Sequence, residues 1–195
     1  MRIACSLGSL LSVEEVLQCT EIASKTGIDS IWIPETWGME NFSMLGAVAN
    51  NTKTQKIGSS IINIYSRSPS TIAMGSATID TLSNGRLILG LGTSSVPIVE
   101  DFHGQKFENP VQRMREYVEI IRLSLMKKQI NYSGKIFDLK NFTLLIEPKR
   151  KSIPIYLAAI NEKMVNLCWE IGDGVIFYLR PIDEMKQTIS KMQSQ

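Results

Sequence analysis

The run Leu82-Ser83-Asn84-Gly85-Arg86-Leu87-Ile88-Leu89-Gly90-Leu91-Gly92-Thr93-Ser94-Ser95 decides how the rest of the chain is read. Asn84-Gly85 supplies the positive φ angles at which a helix stops and the chain turns back. Leu87 to Leu91 is then unbroken apolar sequence, the pattern of a strand covered on both faces in a parallel sheet. Gly90 and Gly92 leave space for a ligand to approach the backbone. Thr93, Ser94 and Ser95 offer hydroxyls and amides at the carboxyl edge, where α/β proteins bind small molecules.

The same strand–helix unit repeats on either side. Ile3 to Leu7 reads as a first strand, and Ser12 with Glu15 forms a capping box for a helix whose apolar face is Val13, Val16, Leu17 and Ala23 and which Gly27 ends. Ser30 to Ile33 is a second strand, followed by Pro34-Glu35-Thr36-Trp37-Gly38. A helix over about 42–50 leads to a third strand, Lys56 to Ile62. Pro69 opens the next helix, which buries Ile72, Ala73, Ala77 and Ile79. Beyond the opening run, Asn109-Pro110 starts a long helix with Met114, Tyr117, Val118, Ile121 and Leu125 turned inward. Residues from about 129 to 146 form a small hairpin insertion. Pro154 to Ala158 is a fifth strand, Asn161 caps a helix running to Gly172, Gly174 to Tyr178 is a sixth strand, and a last helix starts at about Asp183.

Such repetition means a mainly parallel sheet with right-handed crossovers, either open and doubly wound or curled into a barrel. Gly90-Leu91-Gly92 is not a dinucleotide fingerprint. The third glycine position holds Ser95, and the motif follows the fourth strand rather than the first.

With 195 residues, 44% hydrophobic and 21% charged, the chain suits one soluble globular domain over 1–195. A net charge of +2 and a lone Lys149-Arg150-Lys151 cluster, read as a solvated turn, point to no nucleic-acid partner. Cys5, Cys19 and Cys168 are sparse and unpaired in spacing, so they read as small buried hydrophobes in a reducing compartment. No leader and no apolar stretch near the ~20 residues of a membrane span is present, so no membrane partner and a cytoplasmic location are expected. His103, the single histidine, falls in a polar loop, and neither a metal-ligand cluster nor a G-x-S-x-G elbow accompanies it.

Four segments in order resemble the luciferase-like superfamily of flavin- and deazaflavin-dependent oxidoreductases. They are Ile31-Trp32-Ile33-Pro34-Glu35-Thr36-Trp37, the stretch Ile57 to Pro69, the opening run through Gly92, and Ile153 to Ala159 with Gly172-Asp173-Gly174-Val175-Ile176. Within that superfamily the stretch Ile57 to Pro69 most resembles the methylenetetrahydromethanopterin reductase branch. The resemblance implies a (β/α)8 TIM-barrel fold and coenzyme F-420 as cofactor, with FMN as the alternative. It implies a cis peptide at Ser60-Ile61 against the deazaflavin ring, Asn63 close to the ring, Gly92 and Thr93 along the cofactor, and the turn Ala159-Ile160-Asn161 at its phosphate. The helix opened by Asn161 adds an independent reason, since its unpaired amides face the carboxyl edge.

The departures from the family pattern are specific. Thr36 stands where members acting on sugars or alcohols have a histidine, Ser95 where some have a glutamate, and Ser6 near the position of a reductase-branch glutamate. Glu35 is left as the carboxylate at the mouth, to bond the ring or move a proton. A (β/α)8 barrel needs roughly 250 residues, and only about six β/α units are legible, so the barrel reads as incomplete, lacking its last two units. A fragment of a longer frame, or a short form completed by pairing into a homo-oligomer, would account for that. The leading expectation is an oxidoreductase passing hydride from the deazaflavin to a small-molecule substrate. An FMN-dependent monooxygenase and a non-catalytic flavin-binding protein or inactive fragment are the competing ones.

Overall fold

The computed structural model describes residues 2–8, 10–126 and 129–193. In chain order the elements are β1 (Ala4–Ser6), α1 (Val13–Lys25), β2 (Ser30–Ile33), α2 (Asn41–Asn51), β3 (Lys56–Ser59), β4 (Ile62–Asn63), α3 (Pro69–Leu82), β5 (Leu87–Gly92), α4 (Pro110–Met126), β6 (Gln129–Ser133), β7 (Asp138–Thr143), β8 (Ile155–Ala158), α5 (Glu162–Ile171), β9 (Gly174–Ile176) and α6 (Ile182–Gln193). Helix starts follow local chemistry. Ser12 and Glu15 form the reciprocal capping box, Ser68 caps α3 ahead of Pro69, and Asn161 accepts from the Met164 amide. Asn84 and Gly85 take φ of 55° and 80° where α3 ends, as the opening run requires.

The main sheet runs β1-β2-β3-β5-β8-β9, every neighbouring pair parallel, with β4 continuing onto β5 beyond a break in β3. Each new strand of this sheet is laid on the same side as the last. That is the winding of a barrel; a doubly wound sheet would reverse direction part-way. β1 and β9 do not pair with one another, so the sheet is an open, curled half-barrel of six main strands. Antiparallel β6 and β7 stand apart as a hairpin.

Alternate strand residues explain both faces. Ile31, Ile33, Ile57, Leu87, Leu89, Leu91, Ile155 and Leu157 have no exposed surface and pack under the helices. On the other face Trp32 and Tyr156 approach with ring centroids 5.8 Å apart. Each covers a glycine: a Cβ at Gly58 would meet the Trp32 ring at 2.5 Å, and one at Gly174 the Tyr156 ring at 2.7 Å. Among the described residues no helix is long and apolar enough to cross a membrane.

The structure corrects several local readings. Val13 is exposed, and Thr20, bonded to the Val16 carbonyl at 2.8 Å, is buried in its place. Cys168 is buried, whereas Cys5 and Cys19 are only partly so. A π-helical turn covers Ile98–Phe102, where the sequence reads as loop. One turn with a single buried apolar residue, Val99, is too short to show periodicity.

Lys149-Arg150-Lys151 is not simply a solvated turn. Arg150 reaches the amino edge of the sheet, where its Nη2 bonds Asp80 at 2.5 Å and the Leu87 carbonyl at 2.6 Å. Arg86 is buried beside it and donates to the carbonyls of Ala49, Thr52, Gln55 and Ser83 and to the Thr52 hydroxyl.

The hairpin is latched to α4 by one buried carboxylate. Glu116 accepts from the backbone amides of Lys135, Ile136 and Phe137 and from the Gln112 side chain, at 2.8–3.2 Å. Burial pushes this carboxyl up, but those hydrogen bonds outweigh it and hold it below the usual carboxylate range. A carboxylate with a depressed folded-state pKa contributes stability above its unfolded pKa and loses it as pH falls through the folded value. Hydrogen-exchange protection at Lys135, Ile136 and Phe137, relative to intrinsic amide rates at each pH, is therefore expected to fall below about pH 4 ahead of the core strands, and Glu116→Gln should bring the same opening at neutral pH.

Candidate functional site

The carboxyl edge is shaped by the interruption between β3 and β4. The ladder with β5 pairs Gly58 with Ile88, lapses, and resumes with Ile62 opposite Leu91 and Asn63 opposite Gly92. In the gap the Ser59 hydroxyl replaces the missing ladder. It donates to the Gly90 carbonyl at 2.8 Å and accepts from the Gly90 amide at 2.8 Å. The Ser60–Ile61 peptide is cis, as the resemblance implies. The Ser60 amide donates back to Ile33 of β2 at 2.8 Å.

Gly90 and Gly92 of the opening run face protein. The side-chain direction of Gly90 is filled by the Ser59 carbonyl, and that of Gly92 by the Ile61 side chain, whose Cδ1 would meet an added Cβ at 2.5 Å. Their missing side chains make room for the β3–β4 break. Ile61 consequently packs against Gly92 of β5.

Asn63 is buried, and its Oδ1 accepts from the Tyr65 amide at 2.9 Å, closing a side-chain turn that also bonds Ser66 to the Asn63 carbonyl. Its Nδ2 has no partner. Nor do the buried Ser60 Oγ, Thr36 Oγ1 and Asn41 Oδ1. Buried polar atoms are nearly always satisfied, so a group of unfilled ones at one sheet edge marks a place where a ligand completes them.

Glu35, the carboxylate that the sequence places at the mouth, is one half of an ion pair. Arg67 forks onto it, Nη1 to Oε2 at 2.7 Å and Nη2 to Oε1 at 2.5 Å, and the Asn41 amide adds a bond at 3.1 Å. Glu40 shares the same guanidinium, which also lies over the Phe42 ring. A carboxylate with both oxygens forked by arginine holds geometry: here it ties the loop after β2 to the loop after β4. Tyr117 of α4 reinforces the clamp by donating to the Arg67 carbonyl at 2.5 Å.

Farther along the edge, Thr93 is partly exposed beyond β5, Ala159 is buried, and Ile160 is largely exposed. Asn161 spends its Oδ1 as helix cap, leaving the other first-turn amides of α5 available. Arg180, unnoticed in the sequence, arrives from beyond β9. It contacts the Ile160 carbonyl at 3.5 Å, lies over Phe177, and its buried Nε, without a hydrogen bond, pairs with Glu184 at 3.9 Å. Its only sequence signal is its place just past the last strand. The strand order thus sets Glu35 and Thr36, then Ser60, Ile61 and Asn63, then Gly92 and Thr93, then Ala159, Ile160 and Asn161 along one rim. A cavity of about 550 Å³ between α5, β9 and α6, lined by Trp169, Phe177 and Ile189 among others, lies apart from Ser60 and Asn63.

The model of the luciferase-like monooxygenase family matches residues 1–195. The chain belongs to that family. It is 39% identical over 157 residues to the 5,10-methylenetetrahydromethanopterin reductase of Archaeoglobus fulgidus, covering 80% of this chain and 46% of that one. A Mycobacterium tuberculosis protein, provisionally named a coenzyme F-420-dependent oxidoreductase, is 35% identical over 170 residues, covering 80% of this chain and 49% of its own. The chain therefore spans about half the length of these curated relatives. The solved coenzyme F-420-dependent tetrahydromethanopterin reductase of Methanopyrus kandleri superposes with a TM-score of 0.90 at 23% identity, over 98% of this chain and 59% of that one. This likeness places the half-barrel as part of a luciferase-like TIM-barrel fold.

Proposed function

We propose that this chain carries the cofactor site of an oxidoreductase that uses reduced coenzyme F-420 to deliver hydride to a small electrophile. The observation that carries the reading is the set of unfilled buried polar atoms along one sheet edge, Ser60 Oγ and Asn63 Nδ2 at the β3–β4 break and Thr36 Oγ1 in the loop after β2. They suit a planar heterocycle edged with carbonyl and ring-nitrogen acceptors. Ser60, Ile61 and Asn63 would hold the ring, Gly92 and Thr93 its side chain, and the Ala159–Asn161 turn with Arg180 its phosphate. When bound, the deazaflavin supplies the hydride, so the protein has little acid–base chemistry to perform.

The chain's own residues then position and exclude water. Ile61, packed against Gly92, presents an apolar surface at the break. Asn63 donates to the ligand with a side chain already locked by Tyr65. The Glu35–Arg67–Glu40 clamp keeps the loops after β2 and β4 together, so the unfilled atoms are prearranged before any ligand arrives. FMN has a similar ring and a phosphate. The relative that carries coenzyme F-420 in its name, at 35% identity, favours the deazaflavin.

Asn63→Asp tests the ring contact with little effect on the turn, because Oδ1 and its bond to Tyr65 are kept while the donor is lost. Cofactor affinity measured by fluorescence quenching is expected to fall at least about tenfold, the equivalent of one buried hydrogen bond. Unchanged affinity would remove Asn63 from the site.

A further inference from the structure

Arg113, in the first turn of α4, is a cation that no carboxylate among the described residues pairs with. Its guanidinium lies over the Tyr65 ring at 4.7 Å and over the Phe137 ring at 5.3 Å, so aromatic rings pin it from the β4 side and from the hairpin. Its Nε is buried and has no hydrogen-bond partner. The hydroxyls of Tyr65 and Tyr117 send their own protons to the carbonyls of Glu108 and Arg67, so toward Arg113 they are neutral acceptors.

The contrast with other arginines is sharp. Arg67, Arg115, Arg122 and Arg150 each bond a carboxylate, and Arg86 spends its donors on backbone carbonyls. Among the described residues no carboxylate lies within ion-pair distance of Arg113. The nearby Glu116 is already committed to the hairpin amides. A guanidinium set against two rings and two neutral hydroxyls, with no carboxylate paired to it among the described residues, is placed to take a carboxylate or phosphate. Tyr65 lies two residues beyond Asn63, so that edge belongs to the same rim as the unfilled polar atoms.

We propose that Arg113 is the receptor for a carboxylate or phosphate on the second substrate, which makes that substrate an anionic small molecule. This rests on the cofactor reading above, in which the cofactor's own phosphate meets the Ala159–Asn161 turn. Phe137 makes the hairpin part of the site, since it supplies one face of the cage.

The test follows the Arg113 side-chain Nε–Hε resonance of nitrogen-15-labelled protein, assigned by its loss in Arg113→Gln. Inorganic phosphate should shift it saturably in the low millimolar range, and Arg113→Gln should bind coenzyme F-420, FMN and riboflavin as the parent does. A resonance that phosphate does not move overturns the proposal. Loss of FMN affinity in Arg113→Gln with riboflavin affinity unchanged would assign the anion to the cofactor's phosphate and overturn the assignment to the substrate. If the parent protein binds none of the three yet phosphate moves the resonance, the cofactor reading fails and Arg113 stands as an anion receptor.

Discussion

Gly90→Ala is expected to cost at least about 3 kcal/mol, read as a lower urea midpoint with an unchanged slope. The added methyl would enter the Ser59 carbonyl oxygen, and the Ile176 side chain closes the space at 3.0 Å. Neither backbone can retreat, because the Ser59 hydroxyl binds Gly90 through both its amide and its carbonyl. Gly8→Ala, with nothing within 4 Å of the new methyl, is the matched control and should change stability little. Gly92→Ala falls between. Its methyl meets the end of the Ile61 side chain, which can turn away, so the effect should appear more in cofactor affinity than in stability.

Arg150→Met should cost about 3 kcal/mol, the lower end of the range for breaking a buried pair, because Arg150 is 28% exposed while Asp80 is fully buried. Removing the arginine leaves the Asp80 carboxylate beside the Leu87 amide with no cation, and the Leu87 carbonyl loses a donor. The double variant Asp80→Asn/Arg150→Met should recover part of the loss, since no charge then remains buried. Chemical denaturation of all four proteins closes the cycle. Losses that simply add would show that the two side chains do not interact across the sheet's amino edge.

What the sequence reveals and hides follows from range along the chain. The Ser12–Glu15 capping box, the Asn84-Gly85 stop, Pro69 at a helix start and the strand Ser30 to Ile33 are set within a few residues, and each appears where the pattern puts it. The sixth strand is shorter than its apolar run, ending at Ile176 instead of Tyr178. It pairs only with β8, and β8 ends at Ala158. Lys149-Arg150-Lys151 looks like solvated charge because its partner, Asp80, is 70 residues away. Glu35 looks free because Arg67 is 32 residues on.

The rim itself is legible as an edge, since the ends of consecutive parallel strands must gather there. The occupancy of individual atoms is not. That Gly90 and Gly92 serve the β3–β4 break, that Arg180 reaches the Asn161 turn, and that Arg113 lies between Tyr65 and Phe137 are all products of packing between distant segments. Single residues outside any periodic pattern carry no signal of this kind.

Binding of coenzyme F-420 to the purified chain, followed by equilibrium dialysis with FMN as the comparison, tests the central claim most directly. The account predicts saturable binding of one coenzyme F-420 per chain, tighter than FMN and weakened by Asn63→Asp. Absence of binding to either cofactor, in protein whose hydrogen exchange confirms a folded β3–β5 core, would contradict it.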